Sequence, residues 1–149
     1  MFAAYRKQYP DLAEQIDRMR RRDLPEGWDS ALPIFPADAK GMATRDSSGK
    51  VLNAIAAKMP WLLGGAADLA PSTKTHGNFE FAGDFQAPGE ESDYRGRNFH
   101  YGIREHAMCA ISNGLSLSNL RPYAASFLVF TDYCRGALRL AAMMEIPVI

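Results

Sequence analysis

The sequence predicts an open α/β fold, a mainly parallel sheet with helices packed against it. Two observations carry that reading. The predicted segments run in the order helix, strand, loop, helix, strand, helix, strand. The strand segments are short apolar runs, Trp61–Ala67, Tyr123–Phe127 and one opening at Pro147, as expected of strands covered on both faces. A third observation concerns the end of the chain. Glu145–Ile149 reads as the start of a buried strand, with no turn residue or helix after it. The sheet is therefore expected to be incomplete at the C-terminus, and the chain to be a fragment of a larger protein.

Each element has a local reason. Residues 3–22 carry helical signals on either side of Pro10. Asp11 can cap the second piece, where Leu12, Ile16 and Met19 recur at i, i+4 and i+7. Residues 23–41 hold Pro25, Pro33 and Pro36 and little periodicity, which is linker composition. Asp46, Ser47 or Ser48 can then cap a helix carrying Val51, Leu52, Ile55 and Met59, closed by Pro60. The Trp61–Ala67 strand runs into Asp68 and a loop. Residues 70–98 are rich in Gly, Pro, Ser, Asp and Asn, and a loop of that length is usually functional or disordered. Residues 103–118 give the clearest helix, with Ile103, Ala107, Ile111 and Leu115 spaced by four. A turn at Asn119–Pro122 leads into the Tyr123–Phe127 strand. A helix is expected over 129–144.

Bulk properties narrow the function. At 149 residues, with 47% hydrophobic and 23% charged residues, one ordinary globular domain is expected. Lys plus Arg balance Asp plus Glu at 17 each, so charge offers no argument for nucleic acid or an anionic membrane. The basic run Arg18–Arg22 reads as a solvated helix face or end. Cys109 and Cys134 are too few and too far apart for a zinc knuckle or a CxxC pair. They read as buried thiols in a reducing compartment. No apolar run approaches the roughly 20 residues of a membrane span, and no signal-peptide pattern opens the chain. The cytoplasm is the expected location. Of the three histidines, His106 has no second histidine four residues away, so no zinc site is expected. His76 and His100 are given no role.

Two segments could carry chemistry. Residues 102–108, Gly-Ile-Arg-Glu-His-Ala-Met, place Glu105 among apolar neighbours at the start of the clearest helix. Some twenty residues on, Phe127, Phe130 and Tyr133 fall at i, i+3 and i+6, on one broad helical face. A partly buried carboxyl group with a set of rings can hold a flat heteroaromatic ring and protonate one of its nitrogens. Read alone, Glu105 could equally face solvent or pair with Arg104, and the rings could be plain core.

These two segments resemble transketolase closely. So do Ala43-Thr-Arg45, Gly64-Gly-Ala-Ala-Asp68-Leu-Ala-Pro-Ser72, Arg121–Phe127 and Arg139-Leu-Ala-Ala142, in the family's order and near its spacing. The resemblance covers nearly the whole chain. It implies that residues 1–40 are the segment joining the family's first two domains, helical and extended. It implies that residues 41–149 are a truncated pyrimidine-binding domain with the thiamin diphosphate-binding fold. The family moves a two-carbon ketol unit from a ketose phosphate to an aldose phosphate, in the pentose phosphate pathway. It uses thiamin diphosphate with Mg2+ or Ca2+, and each site lies between the subunits of a homodimer.

Residue roles follow from the same resemblance. Glu105 is the acid that hydrogen-bonds a ring nitrogen of the aminopyrimidine and supports its imino tautomer, which relays the thiazolium proton. Met108 and Cys109 on the following turn give it the apolar surroundings that suit a carboxylic acid. Phe127, Phe130 and Tyr133 surround the aminopyrimidine, with Phe130 expected to stack on it. Asp68 matches a carboxylate beside the cofactor, and Leu69 and Ile103 match apolar contacts to it. Arg45 and Ser72 match groups that hold the substrate phosphate. The family's Gly-Asp-Gly motif, which binds the diphosphate and its metal, does not occur here. The chain is thus expected to supply half a site, with no metal ligand, and to be inactive alone. Rival readings are dihydroxyacetone synthase, deoxyxylulose-phosphate synthase or a non-catalytic assembly protein keeping the domain for dimer contacts. The Gly102–Met108 wording favours transketolase over the synthase of deoxyxylulose phosphate. Glu105, Phe127 and Phe130 disfavour the assembly protein.

Overall fold

A computed structural model describes residues 1–75, 82–89 and 94–149 of the chain. Two N-terminal helices, α1 (Phe2–Gln8) and α2 (Pro10–Arg21), precede an extended stretch without regular structure. Then come α3 (Thr44–Lys58), β1 (Leu62–Ala66), the single turn α4 (Ala70–Thr73) and β2 (Asn98–His100). The chain closes with α5 (Glu105–Leu117), β3 (Arg121–Ala125), a 3₁₀ helix (Leu128–Cys134) and α6 (Arg135–Met143). The three strands form one parallel sheet in the order β2-β1-β3, so the expected open α/β class holds.

Local chemistry explains most boundaries. Pro10 opens α2 at its first position, where a missing N–H costs nothing. Asp11 therefore sits inside the first turn and does not cap the helix. Arg20, Arg21 and Arg22 at its end are exposed, whereas Met19 turns inward, and Arg18 Nε donates to Glu14 at 3.1 Å. α3 likewise starts earlier than expected. Ala43 holds the capping position without a side-chain bond, and Ser47 Oγ donates back to Thr44 O at 2.9 Å. At its far end, Arg97 Nη1 donates to the carbonyls of Met59 (3.0 Å) and Ala56 (3.4 Å), satisfying acceptors the helix leaves open. Burial lowers the pKa of that guanidinium.

β1 is the middle strand, and its Gly64-Gly65 pair is a packing requirement. A Cβ on Gly64 would stand 2.0 Å from Tyr123 O, and one on Gly65 1.8 Å from Phe99 O. Neither neighbouring strand could sit at hydrogen-bonding distance beside a larger residue. Two apolar clusters pack on the sheet. Ala56, Met59, Trp61, Leu62 and Tyr123 form one, with Met19 of α2 against it. Ala67, Tyr101, Met108, Cys109, Cys134 and Ala137 form the other. Tyr123 joins the first cluster and Ala124 the second, as successive strand residues point to opposite faces.

Four further expectations need correction. The loop over 70–98 contains α4 and the start of β2, a strand too short to show a pattern; His76 lies outside the described residues. The Tyr123–Phe127 strand is shifted to Arg121–Ala125. The helix over 129–144 is two helices, a 3₁₀ segment followed by α6. The helix over 103–118 begins at Glu105, and its buried face is not the apolar stripe. Ile103 is 76% exposed and Ile111 47% exposed. The buried face carries Glu105, Met108, Cys109, Ser112, Asn113 and Ser116, spaced by three and four as one helical face must be. Ile149 also pairs with β3 in the parallel sense. Its N–H donates to Pro122 O at 3.1 Å, and Ala124 N–H donates to Ile149 O at 2.9 Å.

Candidate active site

In an open parallel sheet, ligands bind beyond the carboxyl ends of the strands. All three strands deliver candidate residues there. β1 ends at Ala66 and hands on to Asp68 and Leu69. β2 ends at His100, three residues before Ile103 and five before Glu105. β3 ends at Ala125, ahead of Phe127 and the 3₁₀ helix.

Asp68, Leu69, Ile103, Glu105, Phe130 and Tyr133 line one cleft of about 470 Å³. Six of the residues assigned from the sequence to catalysis or cofactor are thus brought together. Glu105, the first residue of α5, is only 7% exposed. Among the described residues it makes no hydrogen bond or ion pair, and Arg104 folds back over Gly102 instead. The residue is largely buried while its carboxyl group opens onto the cleft, where a ligand could take the hydrogen bonds that the protein does not supply. Asp68 is exposed and holds φ +60°, a backbone state that Asp tolerates better than most residues. That turn lets β1 stop sharply and presents the side chain at the cleft's edge.

The rings are ordered by the 3₁₀ helix. Three residues per turn bring i, i+3 and i+6 into line. Phe127 and Phe130 lie 6.1 Å apart between centroids at 14°, and Phe130 and Tyr133 lie 6.3 Å apart at 29°. Phe130 and Tyr133 wall the Glu105 cleft; Phe127 turns to a second one.

That second cleft, of about 560 Å³, is lined by Arg45, Ser48, Ser72, Thr73 and Phe127 among others. Arg45 and Ser72, 27 positions apart in sequence, meet there from α3 and α4. Sequence reasoning overlooked Ser48 except as a cap. Its spacing, three residues after Arg45 on the same helix, was the available signal.

Supporting contacts hold the Glu105 helix in place. Asn113 Nδ2 donates to Ala137 O at 2.9 Å, a buried bond from α5 to α6. Cys109, one turn along α5 from Glu105, and Cys134, at the end of the 3₁₀ helix, are free and buried. Burial, and then the hydrogen bond with Cys134, push the Cys109 thiol up to about 12. His100 Nε2 lies 3.1 Å from Asp84 at the end of β2. Among the described residues, no three His, Cys, Asp or Glu side chains come together to hold a metal ion. No helix among them is long and apolar enough to cross a membrane.

A parallel sheet whose strand ends bring together a largely buried carboxyl group and aligned rings is an open α/β ligand-binding domain, with the candidate site where that class of fold places it. The comparisons agree: residues 40–149 match the transketolase pyrimidine-binding domain, and the chain belongs to the transketolase family. It is 48% identical to the transketolase of Halalkalibacterium halodurans over its full length, which is 22% of that protein. It is 46% identical to chloroplastic transketolase-1 of Arabidopsis thaliana, covering 99% of this chain and 19% of that one. A crystal structure of Pichia stipitis transketolase in complex with sedoheptulose 7-phosphate superposes with a TM-score of 0.87. The identity is 44%, over 99% of this chain and 22% of that one. Transketolase from Leishmania mexicana superposes equally well, at 36% identity over 99% of this chain and 21% of that one. The chain therefore spans about a fifth of its relatives' length.

Proposed function

We propose that this chain is the aminopyrimidine half of a transketolase active site. The whole enzyme moves a two-carbon ketol unit from a ketose phosphate to an aldose phosphate. The observation that carries this reading is Glu105, a largely buried residue whose carboxyl group has no partner among the described residues and lines a cleft walled by Phe130 and Tyr133. That unmet group is what a nitrogen heterocycle would satisfy. Thiamin diphosphate, when bound, supplies the stabilised carbanion that carries the two-carbon unit.

The chain's own residues do four things in this reading. Glu105 holds a proton against a ring nitrogen of the aminopyrimidine. Phe130, with Tyr133 beside it, fixes the plane of that ring, because the relay depends on orientation. Leu69 and Ile103 supply apolar contact, and Asp68 a carboxylate at the rim. Arg45 and Ser72, in the neighbouring cleft, take the phosphate of the sugar. Phe127 lines that second cleft and stacks on Phe130 of the first, 6.1 Å between centroids. The names of the relatives favour transketolase over dihydroxyacetone synthase, deoxyxylulose-phosphate synthase or an assembly protein.

The diphosphate and its Mg2+ or Ca2+ are assigned to residues outside this chain. Residues 1–40 are read as the interdomain segment and 41–149 as the domain. A homodimer with the site at its interface suits the exposed Ile111, Leu128, Val129, Leu138, Leu140 and Met143, carried by the elements around the cleft. Two free, buried thiols suit the cytoplasm, and the reaction belongs to the pentose phosphate pathway.

Cofactor titration tests the cleft. In a full-length transketolase carrying this segment, Phe130→Ala should weaken thiamin diphosphate binding about tenfold, as loss of a stacked ring does. Tyr133→Ala, which removes a ring that is 67% exposed, should weaken it less. Equal affinities in both variants and the parent would return the rings to simple packing.

A further inference from the structure

We propose that Ser48 is a third phosphate-binding group and sets the preference for phosphorylated sugars. The proposal rests on the reading of the Arg45–Ser72 cleft as the substrate phosphate site, and adds a residue to it.

Three observations lead there. Ser48 lines the same cleft as Arg45 and Ser72, and it sits three residues after Arg45 on α3, so both side chains leave one helix face. Its hydroxyl makes no hydrogen bond among the described residues, and neither do the side chains of Arg45 and Ser72. The nearby Thr73 hydroxyl, by contrast, is engaged by Leu69 O at 3.0 Å and Thr75 Oγ1 at 3.0 Å. The cleft thus offers one guanidinium and two hydroxyls with unspent donors, and one hydroxyl already occupied. The start of α3 adds to this. Ala43 provides no side-chain cap, and the first bonded amides, Asp46 and Ser47, both donate to Ala43 O. Among the described residues, nothing accepts from the Thr44 and Arg45 amides, at the positive end of a 15-residue helix. A doubly charged phosphate with three terminal oxygens matches this set of donors. A neutral hydroxyl at the end of a shorter sugar does not.

Ser48 does not touch the reacting carbon in this arrangement. Its effect should therefore appear in binding and depend on the phosphate. The test uses full-length transketolase carrying this segment, with Ser48→Ala, Ser48→Thr and Arg45→Ala variants. Each is assayed with a phosphorylated ketose donor and with an unphosphorylated one. Ser48→Ala should raise KM for the phosphorylated donor about tenfold, the usual loss for a hydrogen bond to a charged group. It should leave kcat, and both constants for the unphosphorylated donor, within about twofold. Ser48→Thr keeps the hydroxyl and should recover most of the loss. An unchanged KM in Ser48→Ala, or an equal loss on both donors, would overturn the proposal. Arg45→Ala separates it from the reading beneath. A phosphate-selective loss in Arg45→Ala without one in Ser48→Ala removes Ser48 alone. No selective loss in Arg45→Ala removes the phosphate site, and Ser48 with it.

Discussion

Glu105 and Cys109 stand one helical turn apart on α5 and show how burial divides labour between neighbouring residues. Glu105 faces the cleft without a partner, and Cys109 faces the core beside Cys134. A thiol held near 12 is almost wholly protonated at neutral pH, so it neither attacks nor binds metal readily. The native chain should react with a maleimide at pH 8 at far less than two thiols per chain, and the denatured chain at two. Fast labelling of both in the native state would place Cys109 at the surface. The same burial has a pH signature. Cys109 ionises near 9 when unfolded and near 12 when folded. Tyr101 and Tyr123 shift upward too, chiefly through burial. Between those limits the unfolded chain holds fewer protons than the folded one. Stability is therefore full below about pH 9 and falls as pH rises towards 12. Denaturant midpoints across that range should decline steadily.

Among the elements, β1 and α5 teach opposite lessons about reading sequence. The Gly64-Gly65 pair was legible as part of a strand, but its purpose appears only once both neighbours are in place. Gly65→Ala in the 149-residue chain should cost more than about 3 kcal/mol, or prevent folding, because a backbone carbonyl cannot move aside. Gly114→Ala is the control. It lies on exposed helix with nothing within 4 Å of the new Cβ, and should stabilise by roughly 0.5 to 1 kcal/mol. Similar costs at both sites, measured by urea denaturation, would refute the close-approach argument. On α5, the periodicity of Ile103, Ala107, Ile111 and Leu115 pointed to the wrong face. Counting apolar residues cannot find a buried face made of Glu105, Ser112, Asn113 and Ser116. The 3₁₀ helix was missed for a related reason. Its spacing of three is also an α-helical spacing, so the ring positions were legible and the tighter winding was not. Ser48 was hidden as a cleft residue because Ser and Asp cluster at helix starts for capping alone.

At the scale of the whole molecule, the site is assembled from segments distant in sequence. Arg45, Asp68 with Ser72, Glu105 and Phe130 come from four different parts of the chain and line two clefts at the strand ends. The class of fold was legible because alternating helices and short apolar strands leave few alternatives. Residues of the site were legible through resemblance to a family, whereas their convergence needed the sheet. The division of Phe127 from Phe130 and Tyr133 between two clefts had no trace in the sequence. The account stands or falls on Glu105, since a largely buried residue whose carboxyl group has no partner among the described residues is its starting observation. The most direct measurement is ketol-transfer turnover of Glu105→Gln in a full-length transketolase carrying this segment, beside its thiamin diphosphate affinity. Size and polarity are kept, and only the acid is lost. Turnover should fall at least about a hundredfold, some 2.7 kcal/mol of barrier, while cofactor affinity changes within about threefold. Turnover within about tenfold of the parent would contradict the account.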